Sequence, residues 1–382
     1  MIQIVYLALV LAAPASAWTV DEVAAEVCKL HPESTLCPAV EPDPEPEPSA
    51  LFADLQDGQV IKLNDVACSG PESYSTCSKW TAYSGFVCDE TACYGKGGGH
   101  AATMTDTVFK MDFDSFQWTE LYPPTPCSVQ QDESAINVEH VSYIYNYHER
   151  PISSHTYDML ALHGGYLYTL GGRGAGGLYK ACSPTWLGTY LTGSVSTIAR
   201  MRLADNTWEF MNGSVGTMPA TWKGGTPGSV VVGDTAYIIG SSYMATYDFL
   251  TDTKAKVPTY ANTGYENSVV WDGENIWSIG KIWNAGVSIT RASLNSGLTL
   301  IDSASCLPTH TGYQWDSRNG VIGTVLNGTY QYYDPETNTC GSVPIESAYS
   351  ADTEWWASQI VDGVMIFINN NRETLAYRIP AI

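Results

Sequence analysis

The stretch LHGGYLYTLGGRGAGG, residues 162–177, decides the fold expected for this chain. Within it the apolar run Tyr166-Leu167-Tyr168-Thr169-Leu170 stops at Gly171-Gly172. Comparable runs stop at Gly98, Gly240, Gly280 and Gly323, and a last run stops at Asn369. Because glycine and asparagine are the residues that best tolerate a positive φ, these marks predict strands that end in a special backbone conformation. We also expect the paired glycines to lie near a central axis, where a side chain would collide.

The spacing of these marks predicts a repeat. Gly240, Gly280, Gly323 and Asn369 lie 40, 43 and 46 residues apart. A period near 40 residues is typical of units that each contain four strands. The two earlier intervals, Gly98 to Gly171 and Gly171 to Gly240, are 73 and 69 residues, which fits one unit with an insert in each.

Each unit is interpreted as four strands, a to d. Strand a is short and apolar, as in residues 228–232, and strand b is the run that ends on glycine. Strand c ends with an aromatic residue shortly before an aspartate, as in Tyr247-Asp248, and strand d opens with tryptophan at Trp118 and Trp208. Short runs rich in Tyr, Val, Ile, Thr and Trp between Gly, Asp, Asn and Pro turns are typical of an all-β protein.

This combination resembles the kelch repeat. The resemblance rests on the terminal Gly-Gly, the aromatic residue before the aspartate, the turn Asp334-Pro335-Glu336-Thr337-Asn338-Thr339 and the tryptophan that opens strand d. It is best over residues 164–211 and weaker in the third to sixth units. The resemblance implies a β-propeller, and the six marks at 98, 171, 240, 280, 323 and 369 predict six blades. The sixth unit lacks a strand d, and a spare strand at 59–63 precedes the first unit, so we expect 59–63 to close the ring against 372–379.

The N-terminal fifty residues differ from the rest. Residues 1–17 carry no charged side chain and end in Ala15-Ser16-Ala17, which predicts a signal peptide and an exported, secreted or periplasmic protein. A membrane anchor is the alternative, although the apolar run is shorter than a span. Residues 18–37 are expected to form a short helical unit, 38–50 a Pro/Glu-rich linker and 51–382 the propeller. No later segment is long and apolar enough to span a membrane.

Charge and cysteine content narrow the functional classes. The formal net charge of −22 argues against nucleic acid binding driven by the overall electrostatic potential, because the protein would repel phosphates. Ten cysteines in an exported chain favour disulfides over a zinc site, because no CxxC motif is present. The expected pairs are Cys28–Cys37, Cys68–Cys77, Cys88–Cys93, Cys127–Cys182 and Cys306–Cys340. The last pair conflicts with the strand map, which places the two residues on opposite faces of the propeller.

The expected function is recognition of a glycan or of an extracellular protein by the loop-rich face, where two inserts, 123–154 and 173–196, emerge. Aromatic rings can stack on sugars, and charged groups can fix hydroxyls. The candidate ligand contacts are His148, Arg150, Arg173, Trp186, Trp222, Glu266, Trp283, Trp315, Glu354 and Trp355. Structural packing of the tryptophans between sheets is the alternative interpretation.

Enzymatic function is the second hypothesis. The resemblance includes copper radical oxidases of the galactose oxidase type, which need paired Tyr and His ligands, and a kelch-type sialic acid mutarotase, which needs an acid or base beside an arginine. Arg150 or Arg173 with Glu266 or Glu354 could serve the second chemistry. We assign no catalytic residue, metal or cofactor from the sequence.

Overall fold

A computed structural model gives the fold of most of the C-terminal unit. The structure describes residues 50–66, 84–97, 107–122, 136–139, 144–147, 150–151, 154–156, 158–176, 191–195, 198–211, 227–240, 243–257, 265–282, 286–294, 299–302, 306–308, 312–326, 328–345, 358–369, 371 and 373–382. The chain divides into two compact units, 1–50 and 51–382. The signal peptide, the helical unit and the linker expected from the sequence lie outside the described residues.

The second unit is a six-bladed β-propeller, as expected. Each blade is an antiparallel sheet of four strands. Blade 1 contains β2 (Ser84–Cys88), β3 (Ala92–Gly97), β4 (Val108–Asp112) and β5 (Trp118–Tyr122). Blade 2 contains β10 (Leu160–His163), β11 (Tyr166–Thr169), β14 (Ala199–Arg202) and β15 (Thr207–Phe210). Blade 3 contains β16 (Gly228–Val232), β17 (Thr235–Gly240), β18 (Tyr243–Asp248) and β19 (Thr253–Val257).

The remaining blades follow the same order. Blade 4 contains β20 (Tyr265–Trp271), β21 (Asn275–Ile282), β22 (Gly286–Ser293) and β23 (Thr299–Asp302). Blade 5 contains β24 (Gln314–Asp316), β25 (Val321–Leu326), β26 (Thr329–Asp334) and β27 (Thr339–Pro344). Blade 6 contains β28 (Ser358–Val361), β29 (Val364–Ile368), β30 (Glu373–Arg378) and β1 (Val60–Asp65). No helix in the described part of the chain is long and apolar enough to cross a membrane.

The ring closes as the sequence predicts. Strand β1 supplies the outer strand of blade 6 and pairs antiparallel with β30, with Val60 opposite Tyr377. The guanidinium of Arg378 also donates to the backbone carbonyls of Phe52 and Leu55, which precede β1. The first and last strands of the propeller are therefore joined by a strand ladder and by side chain–backbone bonds.

The blades pack on one another through apolar side chains that alternate along their strands. Between blades 6 and 1, the buried cluster includes Phe86, Trp118, Ile366 and Ala376. The indole Nε1 of Trp118 donates to Thr374 Oγ1 at 2.8 Å, so this interface also contains a buried hydrogen bond. The tryptophan that opens strand d thus holds neighbouring blades together.

The aspartate that ends strand c organises the following turn. Asp248 Oδ1 accepts the backbone N–H groups of Leu250 and Thr251, which is an Asx turn. The preceding Tyr247 is fully buried, and its hydroxyl donates to Asp252 Oδ1 at 2.9 Å. The aromatic–Asp signal therefore encodes a hairpin turn and its anchor in the core.

The glycines that end strand b show the expected positive φ at Gly171 but not at Gly323. Gly171 has a φ of 136° and lies where the chain leaves blade 2 for a separate small sheet. Gly323 lies inside β25, and a Cβ there would collide with the phenol of Tyr330 on the next strand of the same blade. Gly323 is a single glycine, not one of the paired glycines expected at the axis, and the crowding around it comes from within its own blade.

Asn369 also differs from the expectation, because its φ is not positive. Its buried side chain instead bridges the hairpin between β29 and β30. Asn369 Nδ2 donates to Glu373 Oε2, and Asn369 Oδ1 accepts the backbone N–H of Glu373. Asparagine is used here for its amide group rather than for conformational freedom.

Two disulfides form within the described residues, and both are pairs expected from the sequence. Cys88–Cys93 spans the turn between β2 and β3, and Cys306–Cys340 joins the segment after β23 to β27. The conflict that the strand map raised for the second pair is resolved by Leu307, which packs with Trp277 and Tyr333 between blades 4 and 5. The connection enters the interface between blades instead of staying at one face. The pairs Cys28–Cys37, Cys68–Cys77 and Cys127–Cys182 lie outside the described residues.

The two inserts form small sheets of their own. One contains β6 (Ile136–Glu139), β7 (Ile144–Tyr147) and β8 (Arg150–Pro151), and the other contains β9 (Ser154–His155), β12 (Gly172–Gly176) and β13 (Leu191–Val195). Pairing of His155 with Arg173 joins the end of the first insert to the second. The inserts are therefore connected through their backbones.

Candidate functional site

The candidate site is the central channel of the propeller. The first strands of the six blades (β2, β10, β16, β20, β24 and β28) line an open cavity of about 390 Å³. Aliphatic residues are the commonest in its lining, and the other lining residues are Cys88, Asp158, Ser229, Trp271, Gln314, Trp315 and Gln359. The volume lies within the range of small-molecule sites, which combine apolar walls with few polar groups.

The wall of the channel is closed by bonds between neighbouring blades. Ser229 Oγ donates to the backbone carbonyl of Asp158 at 2.8 Å, and Asp158 forms an isolated parallel bridge with Gly228. A Cβ at Gly228 would collide with the backbone carbonyl of Asn267, so the entrance to blade 3 needs glycine to approach blade 4. This close approach brings the backbones of blades 3 and 4 together beside Asp158.

Asp158 is the carboxylate of the channel. Its Oδ2 accepts the backbone N–H of Val269, from blade 4, at 3.1 Å. The residue keeps part of its surface open to the cavity, although the surrounding wall withdraws the carboxylate from bulk water. This burial raises the pKa of Asp158 from 3.8 to about 7, and the single bond from Val269 opposes the rise without cancelling it. The group is thus close to half-ionised at neutral pH.

Two tryptophans give the channel its aromatic surface. Trp271 ends β20 and packs against the core cluster of Ile239 and Ile276, while Trp315 lies on β24 and packs against the cluster of Trp277 and Tyr313. Both indoles are partly buried and both border the cavity. Because β20 and β24 begin adjacent blades, the two rings belong to neighbouring sectors of the wall. The core contacts hold them in place for stacking on a flat ligand.

Gln314 and Gln359 supply amide groups to the same wall. The side-chain Nε2 of Gln359 donates to the backbone carbonyl of Phe86 at 3.3 Å, which connects blade 6 to blade 1. Each amide carries an acceptor oxygen and two N–H donors, so neutral polar ligands can be bound without a charge.

Trp315 is the sequence-predicted contact that borders the cavity, and its role as a ligand contact stays a prediction. Arg150 lies on β8, Arg173 on β12 opposite Ser194, and Glu266 on β20 where the register with β21 shifts. The side chains of these three residues lie outside the described part. His148, Trp186, Trp222, Trp283, Glu354 and Trp355 also fall there, so their role as contacts stays a prediction.

Sequence reasoning missed five polar or aromatic residues of the channel, one of which is Ser229. Trp271 could have been recognised in the sequence, because it ends strand a immediately before the turn residue Asp272. Trp315 likewise precedes Asp316. Gln314 and Gln359 lie on the first strands of their blades, which could have been found by aligning those strands. Asp158 precedes its strand and has no local signal, because its burial arises from blades 3 and 4.

The described residues contain no group of three or more His, Cys, Asp and Glu side chains placed to hold a metal ion.

No family model matches the sequence. No curated protein matches it significantly.

A solved structure titled "Structure of YjhT" is similar to this chain. The two sequences are 12% identical, the match covers 75% of this chain and 90% of the other, and the TM-score is 0.47. At this level of similarity, the assignment of a six-bladed propeller depends on the six sheets themselves.

Proposed function

We propose that the protein is an exported, kelch-like recognition module that binds a glycan in its central channel. The observation that carries the proposal is the open cavity bordered by Trp271 and Trp315 beside Gln314 and Gln359. Indole faces stack on the apolar faces of sugar rings, and amides bind the hydroxyl groups around them. The two disulfides support export, because such bonds persist in oxidising compartments. An extracellular protein partner is the other ligand class expected from the sequence.

A glycan array followed by calorimetry on the purified full chain tests this function. We expect Trp315→Ala to weaken saccharide binding about tenfold, or about 1.4 kcal/mol, because the stacking surface is lost. The matched control is Leu250→Ala, since Leu250 is a 72% exposed apolar residue in a blade 3 turn, away from the channel wall. Unchanged affinity in Trp315→Ala, or no binding to any saccharide, would contradict the proposal.

A sugar mutarotase or epimerase is the second candidate, favoured by one observation. The pKa of Asp158, about 7, suits general acid–base catalysis at neutral pH. Saturation-transfer NMR on reducing sugars would measure anomer exchange. Catalysis predicts exchange above the spontaneous rate that is lost in Asp158→Asn, whereas a binding module predicts no acceleration.

A further inference from the structure

We infer that the channel selects ligands that carry a protonated amine, such as an amino sugar, and that Asp158 is the group that binds the amine. This inference rests on the proposed function and specifies its substrate class. It depends on the composition of the wall, the position of the carboxylate and the charge of the whole protein.

The part of the cavity wall that the structure describes carries one sign of charge. Asp158 is the single ionisable side chain on it apart from Cys88, which is held in a disulfide, and no Lys, Arg or His is among the described residues that border it. An anionic ligand would therefore meet a carboxylate and no cation. A neutral ligand would leave the carboxylate unpaired in a site from which water is partly excluded.

The carboxylate is already positioned and partly desolvated before any ligand arrives. Its Oδ2 is held by Val269 N–H, and the backbone of Asp158 is fixed by Ser229 Oγ and by the bridge to Gly228. An incoming ammonium group would add the charge-assisted hydrogen bond that Asp158 lacks from the wall. Because the cost of burying and orienting the carboxylate belongs to folding, the ligand has to offset its own desolvation and loss of motion but not that cost.

The aromatic surface lies at a suitable distance from the carboxylate. Val269, whose backbone N–H holds Asp158, and Trp271 are two residues apart on β20. Two residues of a strand extend about 7 Å. One sugar ring with its substituents can therefore contact Trp271 while its amine reaches Asp158.

The electrostatic field of the whole protein also favours cationic ligands. The formal net charge is −22, so cations are concentrated near the surface and anions are repelled. Long-range attraction raises the rate of encounter, and the channel carboxylate gives the selectivity.

The test compares four probes at pH 7 and about 0.15 M salt: glucosamine, N-acetylglucosamine, glucuronate and ethanolamine. Calorimetry or ligand-observed NMR on the full chain gives each affinity. We expect glucosamine to bind about tenfold more tightly than N-acetylglucosamine, glucuronate to bind least among the sugars, and ethanolamine to compete with glucosamine. Increasing salt should weaken the binding of glucosamine more than that of N-acetylglucosamine.

Asp158→Asn should weaken the binding of glucosamine and abolish its preference over N-acetylglucosamine. The amide oxygen of asparagine can still accept Val269 N–H, so the wall is retained. The matched control is Ser229→Ala, which removes a hydrogen bond to the backbone of Asp158 but keeps its charge. Circular dichroism checks that each variant folds, and the salt dependence of the wild-type protein tests the inference without a variant.

The outcomes separate the inference from the proposed function. Equal binding of glucosamine and N-acetylglucosamine, or a preference that survives Asp158→Asn, overturns the inference and leaves glycan recognition standing. Binding of ethanolamine at Asp158 without any saccharide binding supports the amine site and overturns glycan recognition. Failure of all four probes to bind overturns the inference; if the glycan array is also negative, the proposed function falls with it.

Discussion

Replacing Asp158 with asparagine should make the propeller more stable at alkaline pH than the wild-type protein. The pKa of Asp158 is raised from 3.8 to about 7 by burial, so the folded state holds a proton that the unfolded state has lost over this interval. Stability from this group is present below pH 3.8 and is lost as pH rises through 7. Asparagine resembles the neutral acid at every pH and does not incur this loss.

The size of the effect follows from the interval between the two pKa values. At 1.36 kcal/mol per pKa unit, the full loss above pH 7 is about 4 kcal/mol, and about half of it has occurred by pH 5.5. Because the carboxylate borders an open channel, contact with water reduces these figures. We expect the stability advantage of Asp158→Asn to grow by about 1–2 kcal/mol between pH 5.5 and pH 7.5 and then to level off.

Urea denaturation of both proteins at pH 5.5, 6.5, 7.5 and 8.5 measures this difference. The matched control is Asp248→Asn, which removes the same charge from an exposed turn. Hydrogen bonds from Thr251, first its backbone N–H, lower the pKa of Asp248, so its carboxylate stabilises the fold above its ordinary pKa. The control should therefore be slightly less stable than the wild type by the same amount at all four pH values. A pH-independent difference between wild type and Asp158→Asn would refute the assignment of a buried, neutralised carboxylate.

Two further substitutions test the packing of the blades. Gly323→Ala should destabilise the fold by about 1–3 kcal/mol, because the added Cβ would collide with the phenol of Tyr330. Thermal unfolding measures this loss, and a midpoint equal to that of the wild type would contradict the reason. Trp118→Phe keeps most of the apolar contact and removes the donor to Thr374, so we expect a loss of about 1 kcal/mol in urea denaturation. If Trp118→Phe were neutral, the hydrogen bond between blades 1 and 6 would contribute nothing to stability.

The architecture could be predicted because its signals are local and repeated. Each blade repeats the same order of runs and turns, and the pairing of residues 60–65 with 373–378 follows from counting strands. The need for glycine at position 323 could not be predicted from the sequence. A Cβ there would collide with the side chain of Tyr330, whereas the backbone conformation of Gly323 does not itself require glycine. The role of Asn369 was likewise hidden, since its partner Glu373 is identified only by the geometry of the hairpin.

The candidate site was less predictable than the fold. Trp315 was found because tryptophans are few and conspicuous, yet Trp271 was missed although it occupies a similar place before a turn. Asp158 could not be recognised from its neighbours in sequence. Burial raises its pKa, and the Val269 N–H that opposes the rise is 111 residues away in the sequence.

Closure by β1 also sets the order in which this protein can be completed. Residue 60 is synthesised 317 residues before its partner at 377. At 5–20 residues per second, this delay is about 15–60 s, during which the first strand waits for a partner that has not yet left the ribosome. The ring gains its final contacts only after residues 373–378 are made. A helper that shields strand edges during this interval would raise the yield of intact protein.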